Sequence, residues 1–137
     1  MPFVVKKEVK MIEDKIFFKV ECYQIQGAIF EVYKEIGAGF LESVYQECLE
    51  KEFLIRKIPF EKQVEIKLKY KGDLLQQYFK ADLICYETII IELKACKSLE
   101  PIHRAQVLNY LKATGLRLGL LVNFNAYPKA AVERIIL

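Results

Sequence analysis

Two carboxylates and an ammonium group fall close together in the second half of the chain: Asp82, Glu92 and Lys94. Glu92 and Lys94 belong to Ile89-Ile90-Ile91-Glu92-Leu93-Lys94, a β-branched apolar run that reads as a central strand buried on both faces. Residues two apart on a strand share a face. Asp82 lies on the preceding strand, which a hairpin brings alongside. Two carboxylates and an ammonium would then meet at one end of a buried sheet. Charges there are costly unless they pair or bind a metal ion. Carboxylate oxygens with water form the ligand set that Mg²⁺ or Mn²⁺ prefers. Such an ion polarises a phosphoryl oxygen and acidifies its bound water. A lysine two residues on could hold that water or offset developing negative charge. The spacing alone is also open to a structural pair of Lys94 with Glu92 or Asp82.

Two further features bear on this. Glu42 lies in Gly39-Phe40-Leu41-Glu42-Ser43-Val44-Tyr45. It could lean toward the sheet as another acidic ligand, or stand in solvent like Glu47 and Glu50. Gln106 and Tyr110 are four apart on an expected helix, so they share a face. An amide and a phenol there could bond a phosphate or orient Lys94, or could simply face the core. His103 fits a surface or capping role. Lys97, Arg104 and Lys112 could line a basic rim for a phosphate backbone.

The elements that must position these groups follow from periodicity. Residues 1–20 mix charge and apolar side chains without a clean period, and are read as an N-terminal arm ahead of a single domain over 21–137. Ile25, Ile29, Val32 and Ile36 then make a helical stripe. Gly37 and Gly39 end that helix, and a second runs from about Phe40 to Phe53. After Pro59 the period becomes two: Val64, Ile66, Leu68 and Tyr70 alternate with charged residues. Lys71-Gly72-Asp73 is a turn, and a second strand runs from about Gln77 to Cys85. The Ile89–Lys94 strand follows. Pro101 opens a helix to about Thr114, Leu118–Phe124 is a buried strand, and Tyr127–Leu137 reads as a terminal helix with Pro128 at its start. The order is α-α-β-β-β-α-β-α. The fold class is α/β, with a mixed sheet of about four strands flanked by helices.

Composition excludes several classes. With 137 residues, 53% hydrophobic and 28% charged, the chain can bury a core without staples. No apolar run approaches a membrane span, and no signal-peptide pattern is present. Cys22, Cys48, Cys85 and Cys96 form no CxxC pair, which argues against zinc and iron–sulfur sites. They are expected as reduced thiols in a cytoplasmic protein. The single His103 cannot build a histidine metal site, so any metal must be held by carboxylates. The net charge is only +3, but residues 69–137 hold 10 basic against 6 acidic side chains.

Asp82-x9-Glu92-x-Lys94 followed by Gln106-x3-Tyr110 resembles the PD-(D/E)xK nuclease superfamily, in the branch with a QxxxY helix motif. Gly39-x2-Glu42-x2-Tyr45 is similar to the signature of the GxxExxY proteins within it. Glu92-Leu93-Lys94-Ala95, Ile102-His103-Arg104-Ala105-Gln106 and Gly119-Leu120-Leu121-Val122-Asn123-Phe124 add to the resemblance, which covers about residues 21–137. Ala81 departs from the motif, which has Pro there. The resemblance implies a restriction-endonuclease-like core and Mg²⁺- or Mn²⁺-dependent hydrolysis of DNA or RNA. It further implies Glu42, Asp82 and Glu92 as metal ligands, with the Leu93 carbonyl. It gives Lys94 the water, and Gln106 and Tyr110 the substrate side. The rival expectation is a non-catalytic module that binds nucleic acid or protein on the same fold. A chain this short leaves little surface for gripping a long duplex, so a homodimer or larger assembly is expected.

Overall fold

The computed structural model describes the backbone of residues 2–137 and the side chains of residues 18–137. The arm expected over residues 1–20 therefore lies largely outside the described side chains. The elements in chain order are α1 (Pro2–Ile36), α2 (Glu42–Arg56), β1 (Phe60–Tyr70), β2 (Asp73–Cys85), β3 (Ile89–Lys94), α3 (Pro101–Thr114), β4 (Leu118–Asn123) and β5 (Ala131–Ile136). The strands form one sheet in the order β1-β2-β3-β4-β5. All neighbours are antiparallel except β3 and β4, which run parallel and are joined through α3.

Hydrophobic periodicity explains the layers. The α1 stripe buries Ile25, Ile29 and Val32, and α2 buries Tyr45, Leu49 and Phe53 at helical spacing. Both pack on one sheet face, against Leu83, Cys85, Ile89, Ile91, Leu93, Leu120 and Val122. The opposite face presents Ile66, Ala81, Ile90 and Leu121 to Val107, Tyr110 and Leu111 of α3. Strands β3 and β4 are thus covered on both sides, which is why they carry almost unbroken apolar sequence. Gly119 makes the α3 contact close. A Cβ built there would lie 2.5 Å from Val107 Cγ1.

Two expectations change. The terminal segment is a strand, not a helix, and the sheet has five strands, not four. Pro128 resembled a helix start, but β-branched Val132, Ile135 and Ile136 follow it. Val132 packs on the α1/α2 side and Ile135 on the α3 side, which is the alternation of a strand. Pairing β5 onto β4 also covers what would be an open edge beside the central strands. Strand β2 also starts earlier than expected, at Asp73 rather than near Gln77. Lys71 and Gly72 both have positive φ, 50° and 85°, matching a tight hairpin turn whose twist fits the flanking strands.

Candidate active site

The site forms where β2 and β3 part. Their ladder pairs Leu83 with Ile91, Ile84 with Ile90 and Cys85 with Ile89, and goes no further. Beyond it side chains replace backbone partners. The Asp82 N–H donates to Glu92 Oε1 at 3.2 Å, and the Leu93 N–H donates to Asp82 Oδ2 at 2.7 Å. The two carboxylates therefore close the seam that the separating strands leave open.

An irregularity in β1 helps to aim Asp82. Gln63 has φ 48°, and β1–β2 pairing skips it, joining Lys62 to Leu83 and Val64 to Ala81. Side-chain parity on β2 switches across Asp82. Ala81 and Phe79 belong to the α3 face, whereas Leu83 and Cys85 belong to the α1/α2 face. Asp82 sits at the switch. The Gln63 side chain hydrogen-bonds its carboxylate, and Gln46 Nε2 of α2 donates to its backbone carbonyl at 3.0 Å.

The glycine turn before α2 sets the third acidic residue. Gly37 and Gly39 take φ of 69° and 107°, which favours glycine. The Tyr45 hydroxyl ties this turn down, donating to the Gly37 carbonyl and accepting the Phe40 N–H. Its ring stacks on Phe124 with centroids 4.4 Å apart. Helix α2 then starts with Glu42 in its first turn. Glu42, Ser43, Gln46, Gln63, Asp82 and Leu93 line one open cleft of about 260 Å³.

Burial dominates the electrostatics. Glu92 is only 5% exposed. Burial, and next the charge of Asp82, push its carboxyl up to about 9. Asp82 is also raised by burial, countered by the Leu93 N–H, the hydrogen bond with Glu92, the Lys94 charge and Gln63. The Tyr110 phenol is raised by burial first and then by the negative charges of Glu92 and Asp82. Its ring stacks on Phe79, with centroids 3.4 Å apart.

The remaining expected residues are distributed as follows. Lys94, half-buried, ends β3 two residues after Glu92. Gln106 is half-buried on α3, one turn before Tyr110. Glu42 is exposed at the rim of the cleft. Among the described residues, no three His, Cys, Asp or Glu side chains are gathered as a metal cage. Lys97 and Lys112 are exposed. Arg104 pairs with Glu133 of β5 through two bonds of 2.6 and 2.8 Å. His103 caps α3: its Nδ1 accepts the Glu100 N–H at 3.0 Å.

Three contributors were given no role from sequence. Gln46 is four residues from Glu42, so shared helix face could have found it. Gln63 depends on a backbone irregularity that no pattern announces. Asn123, buried among apolar neighbours, holds the segment after β3. Its Oδ1 accepts the Cys96 and Asn125 N–H groups, and its Nδ2 donates to the Cys96 carbonyl.

A family model described as the PD-(D/E)XK nuclease superfamily matches residues 19–135. The chain belongs to this superfamily. The mixed five-stranded sheet between helices is consistent with the superfamily's restriction-endonuclease-like fold. Among solved structures, the chain is similar to the crystal structure of SSO0001, with 25% identity and a TM-score of 0.55 over 69% of this chain. The match spans 48% of that chain, about half its length. No curated protein matches. Among the described residues, no helix is long and apolar enough to cross a membrane.

Proposed function

We propose that the chain is a divalent-metal-dependent nuclease that hydrolyses phosphodiester bonds of DNA or RNA. The observation that carries this reading is the interlocked pair Asp82–Glu92, buried beside an open acidic cleft with Lys94 two residues on. Holding two acidic side chains together at a buried sheet end costs stability, and a bound cation would offset that cost.

The donor set suits a hard, oxygen-seeking ion. Mg²⁺ is commonly held by one or two carboxylates, keeping waters and substrate phosphate as its other ligands. Asp82 and Glu92 would be those carboxylates, with the Leu93 carbonyl and Glu42, which lines the same cleft as Asp82, as further ligands. When bound, Mg²⁺ or Mn²⁺ supplies Lewis-acid activation of the phosphoryl oxygen and of the attacking water.

The chain's own groups do the rest. Lys94 orients the attacking water and offsets the charge that grows on phosphorus-bound oxygen. Tyr110, locked by its stack on Phe79, and Gln106 on the same helix position Lys94 and the substrate side. Gln63 and Gln46 fix Asp82 so that its carboxylate does not collapse onto the sheet. Lys97 and Lys112 contact flanking phosphates. Arg104 joins them only where substrate competes with Glu133.

The test is a cleavage panel with single- and double-stranded DNA and RNA, each with Mg²⁺, Mn²⁺ or chelator. Cleavage that needs the ion and is lost in Asp82→Asn supports the reading. No cleavage of any substrate with either ion overturns it.

A further inference from the structure

The β1–β2 hairpin is much longer than the sheet it feeds. Only Leu83–Cys85 of β2 pair with β3, so from Glu65 and Lys80 outward the hairpin continues as a two-stranded ribbon with no third strand bonded to it. Counting along β1 from Glu65 to Tyr70, the partners of Lys80 and Asp73, this ribbon is roughly 17 Å long at 3.3 Å per residue, and a register shift between Lys67 and Lys69 takes up the extra residues of β2.

Its two faces differ. Val64, Ile66, Leu68 and Phe79 are partly or fully buried, several of them against α3. The other face carries Glu65, Lys67, Lys69, Tyr78 and Lys80, all exposed. Register places Lys67 opposite Tyr78 and Lys80 opposite Glu65. Tyr78 is 50% exposed. At the turn, the Lys71 ammonium lies over the Tyr70 ring. The ribbon holds four lysines, Lys67, Lys69, Lys71 and Lys80, against Glu65 and Asp73. The ion pairs found among the described residues use other cations, Arg56, Lys62 and Arg104.

This face is continuous with the cleft. Lys80 is two residues from Asp82, and Glu65 two from Gln63, about 7 Å along each strand. Edge strands often carry lysines merely to block aggregation. That accounts for Lys67 and Lys69 on β1, which is an edge. Past Asp82 the ladder to β3 has ended, so the same reason could hold for Lys80, but it does not account for a half-exposed tyrosine set between Lys67 and Lys80.

We propose that this ribbon is a nucleic-acid-binding arm. Lys67, Lys69 and Lys80 grip the phosphate backbone and lead the strand into the Asp82–Glu92 cleft, while Tyr78 packs on sugar or base. The occupant follows from charge complementarity with a polyanion. A two-stranded ribbon fits a duplex major groove, and an exposed tyrosine suits unpaired bases. The shared ligand is the sugar–phosphate backbone. The inference rests on the nuclease reading for its direction toward the cleft, but it can be tested apart from cleavage.

The experiment measures binding in chelator, where no metal-dependent cutting occurs, to single- and double-stranded DNA of one sequence over a salt series. The arm variant is Lys67→Ala/Lys69→Ala/Lys80→Ala. The charge-matched control is Lys34→Ala/Lys51→Ala/Lys129→Ala, whose lysines are exposed elsewhere. Circular dichroism verifies that both are folded. The arm variant should bind at least about tenfold more weakly, and its log–log salt slope should fall by about 2 to 3, since each phosphate contact contributes about 0.7 to 0.9. The control should match wild type. The arm with the larger loss, single or double strand, identifies the source of the backbone. Tyr78→Ala should add a loss concentrated on single strands if bases stack there. Equal loss in both triple variants would reduce the effect to net charge and overturn the proposal. So would unchanged affinity in the arm variant, absent binding by wild type, or a change only in self-association by sedimentation. Binding of the expected kind without cleavage would leave the arm standing while removing the nuclease reading.

Discussion

The amide of Asp82 donates to the carboxylate of Glu92, while the carboxylate of Asp82 accepts from the amide of Leu93. Each acidic side chain thus occupies a place where strand pairing would supply a backbone partner. The seam is opened for the carboxylates and then closed by them. This gives the acidic pair a fixed geometry without a surrounding shell of cations.

That arrangement has a cost that pH reveals. The ordinary carboxyl value for Glu92 is 4.5, and the fold pushes it up to about 9. Folding therefore favours its protonated form. The corresponding stability is fully present below about pH 4.5 and is lost progressively as pH rises toward 9. In chelator, the melting temperature should fall between pH 5 and 9. Glu92→Gln mimics the protonated acid and keeps an oxygen for the Asp82 N–H. It should flatten that fall and raise stability at pH 8 by about 2–4 kcal/mol. Thermal melts of both proteins across the pH series decide it. A wild-type curve that rises with pH over this range would contradict the account.

Lys94 lies within electrostatic reach of both carboxylates, and its charge favours their ionised forms. Lys94→Ala removes the group assigned to water and developing charge while leaving the core intact, since Lys94 is not deeply buried. Single-turnover cleavage should drop by about 10²–10³-fold, the range for losing one preorganised stabilising group. Circular dichroism and the melting profile should remain near wild type. Retained cleavage would remove Lys94 from the reaction.

Gly119 is required for close helix–sheet approach. Its added Cβ would overlap Val107 Cγ1 at 2.5 Å, with Leu111 Cδ1 close behind at 3.9 Å. Gly119→Ala should cost about 1–3 kcal/mol by overpacking. The melting temperature should fall by roughly 4–10 °C. Val107→Ala in the same chain opens the space, so the double variant should lose less than the two single losses combined.

How far the sequence carried depended on what physical rule each feature obeyed. Ile89–Lys94 was legible because a strand covered on both faces has no choice but continuous apolar sequence, so Glu92 and Lys94 stood out against it. Helix α3 was legible from Pro101 at its start and Gly115 at its end, the latter in the left-handed conformation with φ 77°. The last segment was misread because Pro128 is a helix-start signal only when helix-forming residues follow. Here Val132 and Ile135 answer to a tertiary demand, the open edge of β4. The carboxylate pair was legible as a pair, but its interlock was not. That geometry depends on where the β2–β3 ladder ends and on the positive φ of Gln63, and neither leaves a mark in residue type. The ribbon lysines looked like ordinary alternating strand charges. Their meaning depends on how far the hairpin outruns β3.

Tyr110 joins packing and chemistry in one side chain, and two substitutions separate them. The ring is buried against Phe79 and sits in the α3 layer with Ile66, Ala81 and Leu121. Its phenol feels the charges of Glu92 and Asp82. Tyr110→Ala removes the stack and leaves a cavity between α3 and the sheet, so it should cost about 3–5 kcal/mol. Any activity loss there would follow from unfolding. Tyr110→Phe keeps the ring and its stack, and its stability should stay within about 1 kcal/mol of wild type. If the hydroxyl positions Lys94 or the substrate, Tyr110→Phe should lower kcat by about tenfold or more with the fold unchanged. The loss should appear in kcat rather than in KM, because the group acts on the geometry of the reacting state. Unchanged kcat in Tyr110→Phe, alongside a large melting shift in Tyr110→Ala, would confine Tyr110 to the core.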